Sequence, residues 1–118
     1  MPENESVSSS LISLTDLPVS GIVALDASIN GENESIIIHC DQGKYAAYLN
    51  ICPHAGRRLD YAPGKFLIDR GNLICAAHGA TFRLHDGLSV AGPCRGQSLV
   101  GLPILARDGQ LYVLKTSE

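Results

Sequence analysis

Residues 50–60 read "NICPHAGRRLD" and residues 73–82 read "LICAAHGATF". Each stretch holds a cysteine and a histidine at short spacing, Cys52-x-His54 and Cys75-x-x-His78, with a glycine close behind, Gly56 and Gly79. Twenty residues separate His54 from Cys75. Two thiolates and two imidazoles complete four ligand positions, and two arrangements fit them. One is a single tetrahedral zinc. The other is a two-iron, two-sulfide cluster with both cysteines on one iron and both histidines on the other. Ligand types alone leave both open. Zinc fingers usually pair Cys with Cys and His with His along the chain, whereas here each short loop supplies one of each. That mixture suits a cluster clasped between two loops.

Outward from these loops the chain reads as short β-segments. "GIVALDAS" (21–28) and "SIIIHC" (35–40) flank a turn signalled by Asn30-Gly31. "KYAAYLN" (44–50), "NLICAA" (72–77) and "ATFRLH" (80–85) suit further strands, and His85-Asp86-Gly87 marks another tight turn. "SLVGLPILAR" (98–107) and "QLYVLKT" (110–116) predict a last hairpin about Asp108-Gly109. No convincing helix, internal repeat or low-complexity tract appears after the start of the chain. Many short strands with Gly/Pro turns predict an all-β fold, an antiparallel sandwich or barrel. Residues 50–64 resist a strand reading, and a loop of that length in a compact domain is usually functional. It begins with the first Cys/His pair.

The chain of 118 residues fits one domain, and with 45% hydrophobic residues it needs no disulfides to build a core. Net charge is −3 with no basic run, so nucleic-acid binding has no electrostatic footprint. No apolar run reaches the length of a membrane span. "MPENESVSSS" (1–10) reads as a flexible polar tail ahead of a single domain over 11–118. It lacks the basic start and apolar stretch of a secretory signal, which predicts a cytoplasmic protein. There, four cysteines argue for metal or redox chemistry more than for structural disulfides. No G-x-S-x-G or similar nucleophile motif supports hydrolase chemistry.

"CPHAG" followed by "CAAHGATF" resembles the two cluster loops of Rieske-type [2Fe-2S] proteins, whose pattern is C-x-H, a spacer, then C-x-x-H-G. "HDGLSVAGP" (85–93) resembles the family's turn and third, proline-bearing loop, with Gly92-Pro93 at the corner that lies over the cluster. The resemblance is close over 50–93 and architectural elsewhere, from about Leu11 to Leu114. It implies a Rieske fold in which a base of two packed sheets carries a small cluster-binding subdomain at about 50–85. It also implies one [2Fe-2S] cluster, with Cys52 and Cys75 on the buried iron and His54 and His78 on the outer one. The glycines would let the backbone approach the cluster, and "YAPGKFLIDRGN" (61–72) would add a hairpin-like excursion to the spacer.

Departures from the family's high-potential members carry further implications. Those members have a second cysteine pair where this chain has Arg57 and Ala77, and Ser and Tyr hydroxyls on the sulfurs where it has Ala80 and Phe82. Without those hydrogen bonds the reduced cluster is less stabilised, so the potential is expected near the low end of the Rieske range, about −150 mV. Such a protein resembles the low-potential Rieske ferredoxins of bacterial oxygenase systems. It would be an electron carrier and not an enzyme, taking electrons from a flavin reductase and passing them to an oxygenase or other redox enzyme, as a monomer or weak oligomer. An oxygenase catalytic subunit would need two more histidines and a carboxylate for a mononuclear iron. Only His39 and His85 remain. The alternative from a different class is a Cys/His zinc-binding structural or interaction module. Cys40 and Cys94 read as packed thiols, and His39 as a residue flanking a strand. His85, Asp60, Asp69 and Arg70 read as solvated, while Arg57 and Arg58 are either solvated or a contact for an acidic partner.

Overall fold

The computed structural model describes residues 10–29, 31–53, 56, 58–62, 64–75, 79–93 and 95–114. The described residues form eleven strands, all pairing antiparallel, and one turn of 3₁₀ helix at Leu14–Asp16. In the first sheet β1 (Ile12–Ser13) and β10 (Ile104–Arg107) flank β11 (Gln110–Val113). The second runs β2 (Ser20–Ile29), β3 (Glu32–Asp41), β4 (Lys44–Leu49), β9 (Gly101–Leu102). The third runs β5 (Leu67–Asp69), β6 (Asn72–Ile74), β7 (Thr81–Arg83), β8 (Ser89–Ala91). No helix among the described residues is long and apolar enough to cross a membrane.

Two-residue turns set the registers. Ile29 pairs with Glu32 across the expected first turn, where Gly31 has φ +85°. Asn30 lies outside the described residues. Three further hairpins turn on a residue and glycine that both have positive φ: Gln42-Gly43, Arg70-Gly71 and Asp108-Gly109. Positive φ at both central residues matches the right-handed twist of the flanking strands. The Asp108-Gly109 hairpin agrees with the sequence reading, and the Arg70-Gly71 hairpin accounts for the expected excursion. Gln42-Gly43 is a tight turn that the sequence analysis passed over, because glutamine is a poor marker of it.

The sequence "SIIIHC" has three adjacent isoleucines, Ile36, Ile37 and Ile38, all fully buried. Side chains alternate across a strand, so a run buried on both sides needs cover on both faces. The second sheet is that middle layer. Ile37 joins Tyr48, Leu73 and Phe82 in a core shared with the third sheet. Ile38 joins Cys40, Ala47 and Leu111 in a core shared with the first.

One predicted element divides. "SLVGLPILAR" is not a single strand: Gly101–Leu102 pairs with β4, and Ile104–Arg107 pairs with β11 in another sheet. Pro103 lies at the break. It has no N–H to continue a ladder, while its carbonyl accepts from Leu114 N–H at 2.8 Å. His39 also differs from expectation, since it lies within β3, opposite Ala46 and Ile22, and not at its flank.

Candidate metal centre

Cys52 follows β4 and Cys75 follows β6, so each sits where a strand of a packed sheet gives way to a loop. Both are buried, at 0% and 1% exposure, in the core that holds Leu59, Leu73, Ala80 and Phe82. The second and third sheets therefore each deliver one cysteine to the same apolar layer.

Each cysteine carbonyl is bonded by the glycine four residues on. The Cys52 carbonyl accepts from Gly56 N–H at 2.8 Å, and the Cys75 carbonyl accepts from Gly79 N–H at 2.9 Å. Gly56 and Gly79 have φ of +68° and +76°, a conformation that costs an L-residue about 1–2 kcal/mol. The glycines four residues after each cysteine thus close matching five-residue turns. His54 and His78 fall within these turns in sequence but outside the described residues, as do Ala55, Arg57, Ala77 and Cys94.

The third loop meets the second by close packing. Gly92 has φ +92°, and a Cβ there would lie 2.7 Å from the Ala80 Cα and 2.8 Å from the Gly79 carbonyl oxygen. Only glycine admits that approach. The Gly92-Pro93 corner therefore abuts the loop that begins at Cys75.

Two charged residues of the first loop, Arg58 and Asp60, serve the loop itself. Arg58 donates to Asp60 through Nε at 2.9 Å and Nη2 at 2.8 Å, a bidentate pair. Asp60 also accepts from Gly64 N–H at 3.1 Å and has only 2% of its side chain exposed. The Arg58 bond, with the Gly64 N–H adding to it, holds the Asp60 carboxyl below the usual carboxylate range against the opposing effect of burial. Asp60 is thus not the solvated charge the sequence suggested, and Arg58 is committed to it, though its side chain stays half-exposed. A buried carboxylate is not legible from composition when its partner stands two residues away in an irregular loop.

Asn50 is a further residue the sequence analysis passed over. It is 1% exposed, and its side chain joins β3 to the far end of the first loop. Elsewhere Cys40 is a buried strand thiol, as expected, and burial raises its pKa. His39 has a lowered pKa, chiefly through burial, with Asp41 opposing and His85 assisting. The His85 side chain is exposed.

Two buried cysteines in one apolar layer, each heading a glycine-closed loop, are candidate ligands of a metal centre. The chain matches the Rieske [2Fe-2S] domain over residues 16–116 and belongs to that family, which implies one such cluster. Cysteine sulfur is a ligand type that iron–sulfur clusters use, and Cys52 and Cys75 bring two such side chains into one buried layer. Among solved structures, the ferredoxin of carbazole 1,9a-dioxygenase from Nocardioides aromaticivorans IC177 superposes with a TM-score of 0.70 at 21% identity, covering 94% of this chain and 100% of that one. A chain in a complex of reduced oxygenase and oxidised ferredoxin in carbazole 1,9a-dioxygenase superposes with a TM-score of 0.69 at 19% identity, covering 92% of this chain and 95% of that one. At these identities the likeness is one of fold. The oxygenase subunit of glycine betaine monooxygenase from Chromohalobacter salexigens is 37% identical over 68 residues, 57% of this chain but 14% of that protein. The match thus spans about a seventh of that relative's length.

Proposed function

We propose that the protein is a one-electron carrier in which Cys52 and Cys75 hold one iron as thiolates and His54 and His78 hold the other. The bound cluster supplies one-electron exchange. The chain's contribution is to keep water from the thiolates with Leu59, Leu73 and Phe82 and to cover them with the Gly92-Pro93 loop. The observation that carries the reading is the pair of matched glycine-closed turns, each opening on a buried cysteine of one shared core.

The structural likeness to carbazole 1,9a-dioxygenase ferredoxin over that chain's full length supports an oxygenase as electron acceptor. On this reading a flavin reductase is the donor, substrate conversion belongs to the partner, and the protein works in the cytoplasm. Ala80 and Phe82 are fully buried and carry no hydroxyl. Neither can hydrogen-bond a sulfur through its side chain, which supports a midpoint potential near about −150 mV.

The test is a visible absorption and EPR spectrum of anaerobically purified protein before and after dithionite. A red-brown colour that bleaches, with an EPR signal that appears on reduction, is the expected outcome for mixed Cys/His ligation of the cluster. A colourless protein with one zinc, and no iron after anaerobic reconstitution, would replace this reading with a structural zinc module.

A further inference from the structure

Asn50 spans the mouth of the loop that carries Cys52, and we infer that it is the positioning residue for that cysteine. Its backbone N–H donates to the Ser35 carbonyl at 2.9 Å, extending the β3–β4 ladder one step past the Leu49–Ile36 pair. Its side-chain Nδ2 donates to Ser35 Oγ at 3.2 Å. Its Oδ1 accepts from Leu59 N–H at 2.9 Å. One amide therefore binds a strand of the middle sheet on one side and, on the other, the residue at which the loop returns to the core.

The neighbours of this clasp reinforce it. Leu59 is 1% exposed and packs in the core that contains Cys52 and Cys75. The next residue, Asp60, is held by Arg58 and Gly64. Among the described residues no buried side-chain nitrogen or oxygen lacks a partner. The loop is thereby held at both ends by the buried side chain of Asn50.

The consequence is kinetic and geometric. A metal–ligand bond tolerates a displacement of only about 0.2 Å. An eight-residue segment between Asn50 and Leu59 without a clasp spreads its cysteine over many positions, and loop ordering then counts against binding. Outer groups that orient metal ligands are worth about 10–100-fold in metal affinity. Asn50 is such a group, acting through the loop and not on the metal.

The inference rests on the assignment of Cys52 as an iron ligand. Its test uses the oxidised holoprotein and follows bleaching of the visible band in excess iron chelator under anaerobic conditions. Asn50→Ala is compared with Ser35→Ala and with Leu111→Ala, which weakens the other core, away from the loop. Each variant is measured at the same interval below its own unfolding midpoint. We expect Asn50→Ala to bleach about ten times faster than Leu111→Ala, Ser35→Ala to fall between wild type and Asn50→Ala, and the reduced EPR lines to broaden in Asn50→Ala alone. Bleaching of Asn50→Ala no faster than Leu111→Ala overturns the inference. If Asn50→Ala does not accumulate folded, Ser35→Ala decides, and a wild-type rate there overturns it. Wild-type protein that binds no iron would sink the ligand assignment itself, a distinct result.

Discussion

The Tyr48 hydroxyl donates to the Leu84 carbonyl at 2.7 Å, joining residues 36 apart in sequence. Tyr48 lies on β4 of the middle sheet, and Leu84 begins the turn that follows β7 of the third. The same ring forbids a side chain at Gly87, where a Cβ would lie 2.8 Å from Tyr48 Cε1. One aromatic residue thus fixes the distance between the sheet that leads to Cys52 and the sheet that leads to Cys75.

That bond sets an alkaline limit. Burial, with the Asp86 carboxylate adding to it, pushes the Tyr48 pKa up to about 12. The neutral phenol is favoured by folding, so its contribution is complete below about pH 10, the unfolded value, and is lost as pH rises through the folded one. Absorbance at 295 nm should show a late ionisation that is missing from Tyr48→Phe. That variant should lose about 1 kcal/mol at neutral pH by urea unfolding.

Gly92 and Gly96 separate strain from collision. Their φ angles are +92° and +91°, yet a Cβ at Gly96 meets nothing within 4 Å while one at Gly92 would strike the Ala80 backbone at 2.7 Å. Gly96→Ala should cost about 1–2 kcal/mol for the backbone conformation alone. Gly92→Ala should cost about 2–4 kcal/mol, because overpacking adds to it. Urea midpoints of the two variants check the difference, and equal midpoints would refute the close packing of the third loop.

Asp60→Asn removes the carboxylate from Arg58 and Gly64 but keeps its shape. The expected cost at pH 7 is about 1.5–3 kcal/mol. The native Asp60 pKa is lowered, so its contribution is present above the ordinary carboxylate range of about 4 and fades as pH falls below it. The gap between wild type and Asp60→Asn, followed by circular dichroism in urea, should shrink between pH 7 and pH 3. A gap that widens on acidification would show that the carboxylate is not held ionised.

Phe82 is fully buried and pairs with Leu73 across β6 and β7. Phe82→Ala should destabilise the fold by about 3–5 kcal/mol through the cavity it leaves. Because the cavity opens in the core of Cys52 and Cys75, the variant should also lose its visible band in chelator faster than wild type. Stopped-flow bleaching and thermal unfolding of the same samples check both effects.

Much of this protein was legible in one dimension because its signals are local. The Cys52-x-His54 and Cys75-x-x-His78 spacings, the Asp-Gly turn at 108–109 and the apolar run of Ile36, Ile37 and Ile38 each carry their meaning within a few residues. They pointed to an all-β fold, which the structure has, and to the mixed thiol–imidazole ligation proposed above. Tertiary structure decided what depends on distant partners. Pro103 splits one apolar stretch between two sheets because the chain must leave the β4 ladder to reach β11. Asp60 is buried because the loop folds Arg58 and Gly64 around it. Asn50 matters because Ser35 and Leu59, far from each other in sequence, meet on either side of its amide. A residue's type states which bonds it can make, but only the folded chain brings those partners within reach.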